Sequence, residues 1–264
     1  MNLIPPPVRS SLGKKYLMAV TGLLLIGFVV AHMAGNLLIF AGQDVLNSYA
    51  QALKAKPALL WVARLGLLSI FVIHLSLAFS LQLENKRARP VRYHHEDTIQ
   101  ASWASRNMLI TGLAILAFLL YHLSHYTLGW VKTADLQVTN SGILEINGKN
   151  YLDLAEIREG KSYQANTQIY LSNPKTRADM DVRHDVYSMV VDGFRTWWVS
   201  LTYLAAMLFL GLHLWHGGSS FLQTLGLNAF RYAGLVRWVG PILAVVLVTG
   251  NSAIVFAVWL GLVK

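Results

Sequence analysis

Five stretches of the chain, each about 20 residues or longer, are almost free of charge, and nearly all of the lysine, arginine, aspartate and glutamate lies between them. The hydrocarbon core of a bilayer is about 30 Å thick, and a helix rising about 1.5 Å per residue needs about 20 residues to cross it. An isolated apolar strand would leave backbone N–H and C=O groups unpaired in lipid, so helices are the expected spanning structures. The stretches cover about 16–40, 58–83, 104–128, 197–217 and 239–263. Composition agrees with this, since 55% of the residues are hydrophobic and 13% charged, where soluble domains average about 25% charge. A water-soluble globule and a disordered chain are excluded. The expectation is an all-α membrane protein, one domain over 1–264 with five transmembrane helices in a bundle and a small exterior segment at about 132–196 between helices three and four.

The chain has no cysteine, which excludes a disulfide scaffold, an iron–sulfur cluster and thiolate haem ligation on this polypeptide. The net charge of +9 does not point to nucleic acid, because basic residues at the edges of apolar runs are what membrane topology produces. The opening MNLIPPPVRSSLGKK precedes an apolar run too long for a signal h-region and without a small-residue cleavage site, so no cleaved signal is expected. Arg9, Lys14 and Lys15 precede span one, Lys86, Arg87, Arg89 and Arg92 follow span two with Arg106 at the next edge, and Arg231 and Arg237 follow span four. The other face has Lys54, Lys56 and Arg64. The bias places the N-terminus in the cytoplasm and the C-terminus outside.

In the segment between spans three and four, LQVTNSGILEINGKNYLDL alternates polar and apolar residues around Asn147-Gly148, a hairpin signal. DVRHDVYSMVVDGFR has apolar residues at helical spacing and reads as a surface helix leading into span four. The exterior segment as a whole holds most of the acidic residues, with no metal-ligand spacing.

Ionisable side chains within spans are costly unless partnered, so each is a functional hypothesis. Of nine histidines, His94, His95 and His184 lie in loops and read as solvated. The other six, His32, His74, His122, His125, His213 and His216, lie in or at spans. Aspartate and glutamate are nearly absent there, so carboxylate proton relays and carboxylate-rich metal sites are poorly supported. Imidazole without carboxylate or thiolate inside a membrane suits bis-histidine haem. His32 and His122 each lie about 16–18 residues from the cytoplasmic start of their spans, in the outer half. His74 and His213 lie about 16 residues from the outer start of theirs, in the inner half. Four histidines on four helices thus form two pairs, offset by about 10 Å, as two haems stacked across a bilayer require.

Spans one and three echo each other. Thr21, Gly22, Leu23, Phe28 and His32 recur at the same offsets as Thr111, Gly112, Leu113, Phe118 and His122. Small residues let a neighbouring helix or a flat macrocycle approach closely, and a phenylalanine four residues before the histidine shares its face. The echo selects His122 over His125. Phe209 stands at the same spacing before His213, but depth alone does not separate His213 from His216.

With MAVTGLLLIGFVVAHMAGNLLIF in span one and HLWHGGSSFLQTLG at the end of span four, the chain resembles the cytochrome b membrane anchor of succinate dehydrogenases and fumarate reductases, of the single-polypeptide, five-helix, di-haem type. The likeness covers roughly residues 10–230. It implies that His32 and His122 ligate an outer, distal haem b and that His74 and His213 ligate an inner, proximal haem b. The family's spacing from the fourth ligand to a helix-closing glycine favours His213, which precedes Gly226. The resemblance further implies a flavoprotein (FAD) subunit and an iron–sulfur subunit on the cytoplasmic face, a quinone (usually menaquinone) as electron partner, and the plasma membrane of a prokaryote as location. Where some members carry a glutamate two residues before the fourth ligand, this chain has Gly211. An acidic residue near the outer quinone site of some relatives has only Asp44 nearby. Arg106 and Lys86 on the inner side, and Arg64 and Arg195 on the outer, are candidate partners for haem propionates or plain topology anchors. The polar run Thr249-Gly250-Asn251-Ser252 is expected to hydrogen-bond to neighbouring helices. A cytochrome b anchor of another oxidoreductase, of the hydrogenase or formate dehydrogenase type, is the alternative, and a haem-free transporter or channel with histidines along a polar path is a third. A transporter would be expected to show inverted repeats, whereas this echo joins spans of the same direction.

Overall fold

The computed structural model describes residues 10–88, 102–128, 186–227 and 231–263, and between 129 and 185 only the backbone of short strands. His94, His95 and His184 lie outside the described residues. Helix α1 (Ser11–Asn36) starts where the Ser10 hydroxyl accepts from Gly13 N–H at 3.0 Å, satisfying one of the free donors of the first turn. It tightens into a 3₁₀ turn over Leu37–Ala41 and stops at Gly42, whose φ of +103° lies in the left-handed region that favours glycine. Helix α2 (Gln43–Lys54) carries Asp44 in its first turn and Lys54 in its last, the charge order that a helix dipole favours. Helix α3 (Pro57–Arg87) opens on a proline, whose missing N–H costs nothing in a first turn. A short α4 (Trp103–Arg106) precedes α5 (Met108–His122), which widens into a π turn over Leu123–Thr127. Then follow α6 (Val186–Arg195), α7 (Trp197–Thr224) and α8 (Ala233–Trp259).

Five of these helices are long and apolar enough to cross a membrane, over Ser11–Ala41, Pro57–Arg87, Met108–Thr127, Trp197–Thr224 and Ala233–Trp259. All five differ from the apolar windows in the sequence by a few residues, the last two the most. Helix α7 runs on to Thr224 because its final turns pack on α8, and α8 begins six residues earlier than position 239. The connection between spans one and two, expected as a plain loop, contains the amphipathic helix α2. Of the segment after span three, β1 (Ile143–Ile146) pairs antiparallel with β2 (Lys149–Asp153), with Ile146 opposite Lys149 on either side of positions 147 and 148.

Consecutive long helices alternate in direction. At one end Lys14 Nζ bonds Ser80 Oγ at 2.8 Å and pairs with Glu84, which also accepts from Ser11 Oγ, fixing α1 against α3. At the other end Trp259 Nε1 donates to Phe194 O at 3.1 Å, tying α8 to α6. The most extensive helix contact is α7 on α8, followed by α1 on α3, α5 on α7 and α1 on α7. Helix α3 rests on α1 and leaves Leu59, Val62, Leu65, Leu68 and Val72 more than half exposed, a surface suited to lipid.

The α7–α8 crossing shows how the spans meet. A Cβ on Gly218 would come within 2.8 Å of Gly240 Cα, and one on Gly240 within 2.3 Å of Trp215 O, so only glycines permit this approach. Pro241 lies inside α8 and has no N–H to give the carbonyl four residues back. That carbonyl, Arg237 O, is met instead by Ser219 Oγ at 3.2 Å, and the same oxygen accepts from Gly240 N at 3.0 Å. The polar run of α8 behaves differently from expectation. Thr249 Oγ1 bonds Val245 O and Val246 O, and Asn251 Nδ2 bonds Leu247 O, all within their own helix. The feature of that run that meets a neighbour is Gly250, against which Met33 of α1 is packed.

Candidate functional site

The four deep histidines lie at two levels, here called lower (toward Ser10) and upper (toward Gly42). At the lower level His74 of α3 lies against α1. Its Nδ1 is 3.1 Å from Thr21 Oγ1, it hydrogen-bonds the carbonyl of Met18, and its Cε1 would sit 3.5 Å from a Cβ on Gly22. His213 of α7 lies against α5 in the same way. Its Nδ1 is 3.2 Å from Thr111 Oγ1, it hydrogen-bonds the carbonyl of Met108, and its Cε1 would sit 3.5 Å from a Cβ on Gly112. The threonine–glycine echo therefore cradles the histidine of the following long helix and not that of its own. The echo also extends back to Met18 and Met108. His74 and His213 are within electrostatic range of each other.

At the upper level, His32 of α1 and His122 of α5 face each other with ring centres 5.8 Å apart and planes at 86°. Phe28 stacks on His32 at 5.5 Å, and Phe118 lies 5.7 Å from His122. His122 Nδ1 is 3.1 Å from the hydroxyl of Tyr203 on α7. Gly22 and Gly112, which touch the lower histidines, precede His32 and His122 by ten residues, so the levels are about 15 Å apart along a helix. This exceeds the roughly 10 Å expected from span depths, since side-chain contacts set the level more accurately than apolar-window edges do.

The hydrogen-bond partners decide the ring chemistry. Thr21 Oγ1 donates its proton to Leu17 O or Met18 O at 2.8 and 3.1 Å, and Thr111 Oγ1 to Asn107 O or Met108 O at 3.2 and 3.0 Å. Both threonine oxygens can then only accept from histidine, as can the two methionine carbonyls. In that arrangement Nδ1 of His74 and His213 carries the proton, and Nε2 is left with its lone pair, the form in which imidazole binds a metal. The upper pair fits the same use. Two imidazole nitrogens opposed across a metal ion at about 2 Å each bring ring centres to about 6 Å. Among the described residues no three of His, Cys, Asp and Glu converge on a metal-sized point, so the available donor sets are these pairs.

His125 is 3% exposed and shares the Tyr203 hydroxyl with His122, but no ring contact among the described residues joins it to His32. Its Nδ1 is 3.3 Å from Tyr203 Oη, its ring stacks on Tyr126 at 4.0 Å, and it lies on the π turn. His216, three residues past His213, is half-buried and is not the histidine that the Thr111–Gly112 cradle holds. Gly211 faces α8, where a Cβ would meet Val248 at 2.8 Å, leaving no room for a carboxylate. Of the basic candidates, Arg195 is engaged by Asp192 at 2.9 Å, while Arg64 lies over Trp61 at 5.3 Å and close enough to Lys54 to act on it. Although Lys54 is exposed, desolvation by its neighbours, and then Arg64, hold its ammonium below the usual lysine range. Lys86 and Arg106 sit in the last turns of α3 and α4, and Asp44 in the first turn of α2. Tyr203 was not among the residues singled out from sequence, because nothing in its spacing marks it.

No protein family, curated protein or solved structure matches the chain.

Proposed function

We propose that this chain is the di-haem cytochrome b anchor of a succinate:quinone oxidoreductase, a succinate dehydrogenase or fumarate reductase. It would pass electrons between a flavoprotein and iron–sulfur subunit pair on the cytoplasmic face and a membrane quinone, menaquinone in the type it resembles. The observation that carries the reading is the pair of histidine sites, one above the other, each drawing one ring from α1 or α3 and one from α5 or α7. His32 and His122 would hold the distal haem b, and His74 and His213 the proximal one. Bound between two imidazoles, haem supplies one-electron exchange at an iron without an open position. The chain's own residues would orient the rings through Thr21, Thr111 and Tyr203 and leave Nε2 free for the iron. On this reading the protein crosses a prokaryotic plasma membrane with its N-terminus in the cytoplasm, so the lower level is the cytoplasmic one.

The test is a reduced-minus-oxidised spectrum with a haem-to-protein ratio, measured on the complex purified through this chain. A b-type signal at two haems per chain, a co-purifying FAD protein and succinate–quinone turnover are the expected results. His32→Ala and His122→Ala should each remove the same haem, and His74→Ala and His213→Ala the other. A featureless spectrum overturns the reading. Two haems with a hydrogenase or formate dehydrogenase partner would shift it to another cytochrome b anchor.

A further inference from the structure

The internal repeat makes α1–α3 and α5–α7 two versions of one helical hairpin, with nearly equal distances at the lower level. The upper level breaks this likeness. Ten residues before His74 stands Arg64, and ten before His213 stands Tyr203. Tyr203 is 7% exposed, and its single hydroxyl lies 3.1 Å from His122 Nδ1 and 3.3 Å from His125 Nδ1. Phe118, Tyr126 and Phe194 pack edge-on around its ring, with centres 4.9–5.9 Å away. His125 Nε2, and the hydroxyls of Tyr121 and Tyr126, are buried without a partner. The phenol is thus the polar group that reaches His122 within an otherwise aromatic wall.

We infer that Tyr203 is the positioning residue of the upper pair, accepting the Nδ1 proton of His122, while Thr21 and Thr111 do the same for the lower pair. The assignment rests on the di-haem reading. An acceptor on Nδ1–H makes the imidazole a stronger electron donor through Nε2, which favours the oxidised metal. The lower centre has aliphatic hydroxyls plus carbonyls on both rings. The upper centre has one shared phenol on one ring. The two centres are therefore tuned separately, and each hydroxyl acts on its own level.

The experiment is a potentiometric titration of the purified complex, following the two b-type components, for Tyr203→Phe, Thr21→Val and Thr111→Val. Tyr203→Phe is expected to raise the midpoint of the component lost in His122→Ala and to leave the other in place. The two threonine variants should raise the component lost in His213→Ala, and Thr21→Ser should restore it. If Tyr203→Phe loses one haem outright, it must be the His122 component; loss of the other, or of both, overturns the inference. Movement of both midpoints together, or of neither while both haems remain, also overturns it and leaves the di-haem reading intact. The absence of b-type signal in the unaltered complex overturns both.

Discussion

Thr21 Oγ1 stands 3.1 Å from His74 Nδ1, and the contact of Thr111 with His213 repeats it at 3.2 Å. The two threonines are each bound to carbonyls of their own helix, so both are fixed acceptors facing a neighbouring helix. A glycine directly after each lets the imidazole lie against the helix backbone. The pair of contacts defines two like hairpins, and each puts one ring at each level.

The cradle glycines allow a graded test. A Cβ at Gly22 or Gly112 meets the ring at 3.5 Å, an ordinary contact distance, so on the di-haem reading Gly22→Ala and Gly112→Ala should retain both haems. Gly112→Leu puts a branched chain where the His213 ring lies and should lower the haem content from two per chain to one. A pyridine haemochrome assay against protein concentration reads the difference.

Histidines three residues along are the natural control. On the di-haem reading, His125→Ala and His216→Ala should keep two haems per chain, because neither ring belongs to the two pairs. Reduced-minus-oxidised spectra check this, and loss of one component in His216→Ala with retention in His213→Ala would reassign the lower pair.

Ser219 is expected to matter for stability and not for haem content. Ser219→Ala leaves Arg237 O and Gly240 N without their partner in a buried helix crossing, at about 1–3 kcal/mol for each group. A lowered unfolding temperature in detergent measures it. Gly240→Ala should be far worse, since the 2.3 Å approach to Trp215 O involves backbone that cannot yield.

Asn47 is fully buried and its Oδ1 accepts from Tyr187 N at 3.0 Å, joining α2 to the start of α6. Asn47→Ala should cost about 1–3 kcal/mol by stranding that N–H. Hydrogen exchange at Tyr187 should rise with little change in the long helices.

Lys54 is held below its ordinary range, so the folded protein binds this proton less readily than the unfolded chain. Such a group lowers stability at neutral pH, and the deficit vanishes as pH rises through the unfolded value of about 10.5. Lys54→Gln should therefore raise the thermal midpoint at pH 7, by an increment that shrinks toward pH 10–11. Melting curves across that range check the sign.

The five long helices were legible because hydropathy over about 20 residues is a one-dimensional property. Helix α2 was not, because twelve mixed residues carry no comparable signal and it forms against the far end of the protein, with Asn47 and Leu46 buried there. The echo marked Thr21 and Gly22 correctly as a unit, but not for which histidine. That depends on how α3 is rotated against α1, which spacing along one chain does not encode. Tyr203 escaped notice for the same reason, and the π turn that carries His125 has no sequence mark. The polar run of α8 misled because its threonine and asparagine could satisfy themselves on their own helix.

Each pair takes one ring from the α1–α3 hairpin and one from the α5–α7 hairpin. A ribosome working from residue 1 releases half of each pair long before the other half exists. The upper pair has both rings once α5 is in the membrane, but the lower pair, and the Tyr203 contact to His122, wait for the helix bearing His213 and Tyr203. On the di-haem reading the lower site must therefore be loaded late, between two hairpins already inserted, and a chain truncated before α7 would keep the His32–His122 pair but lack the lower one.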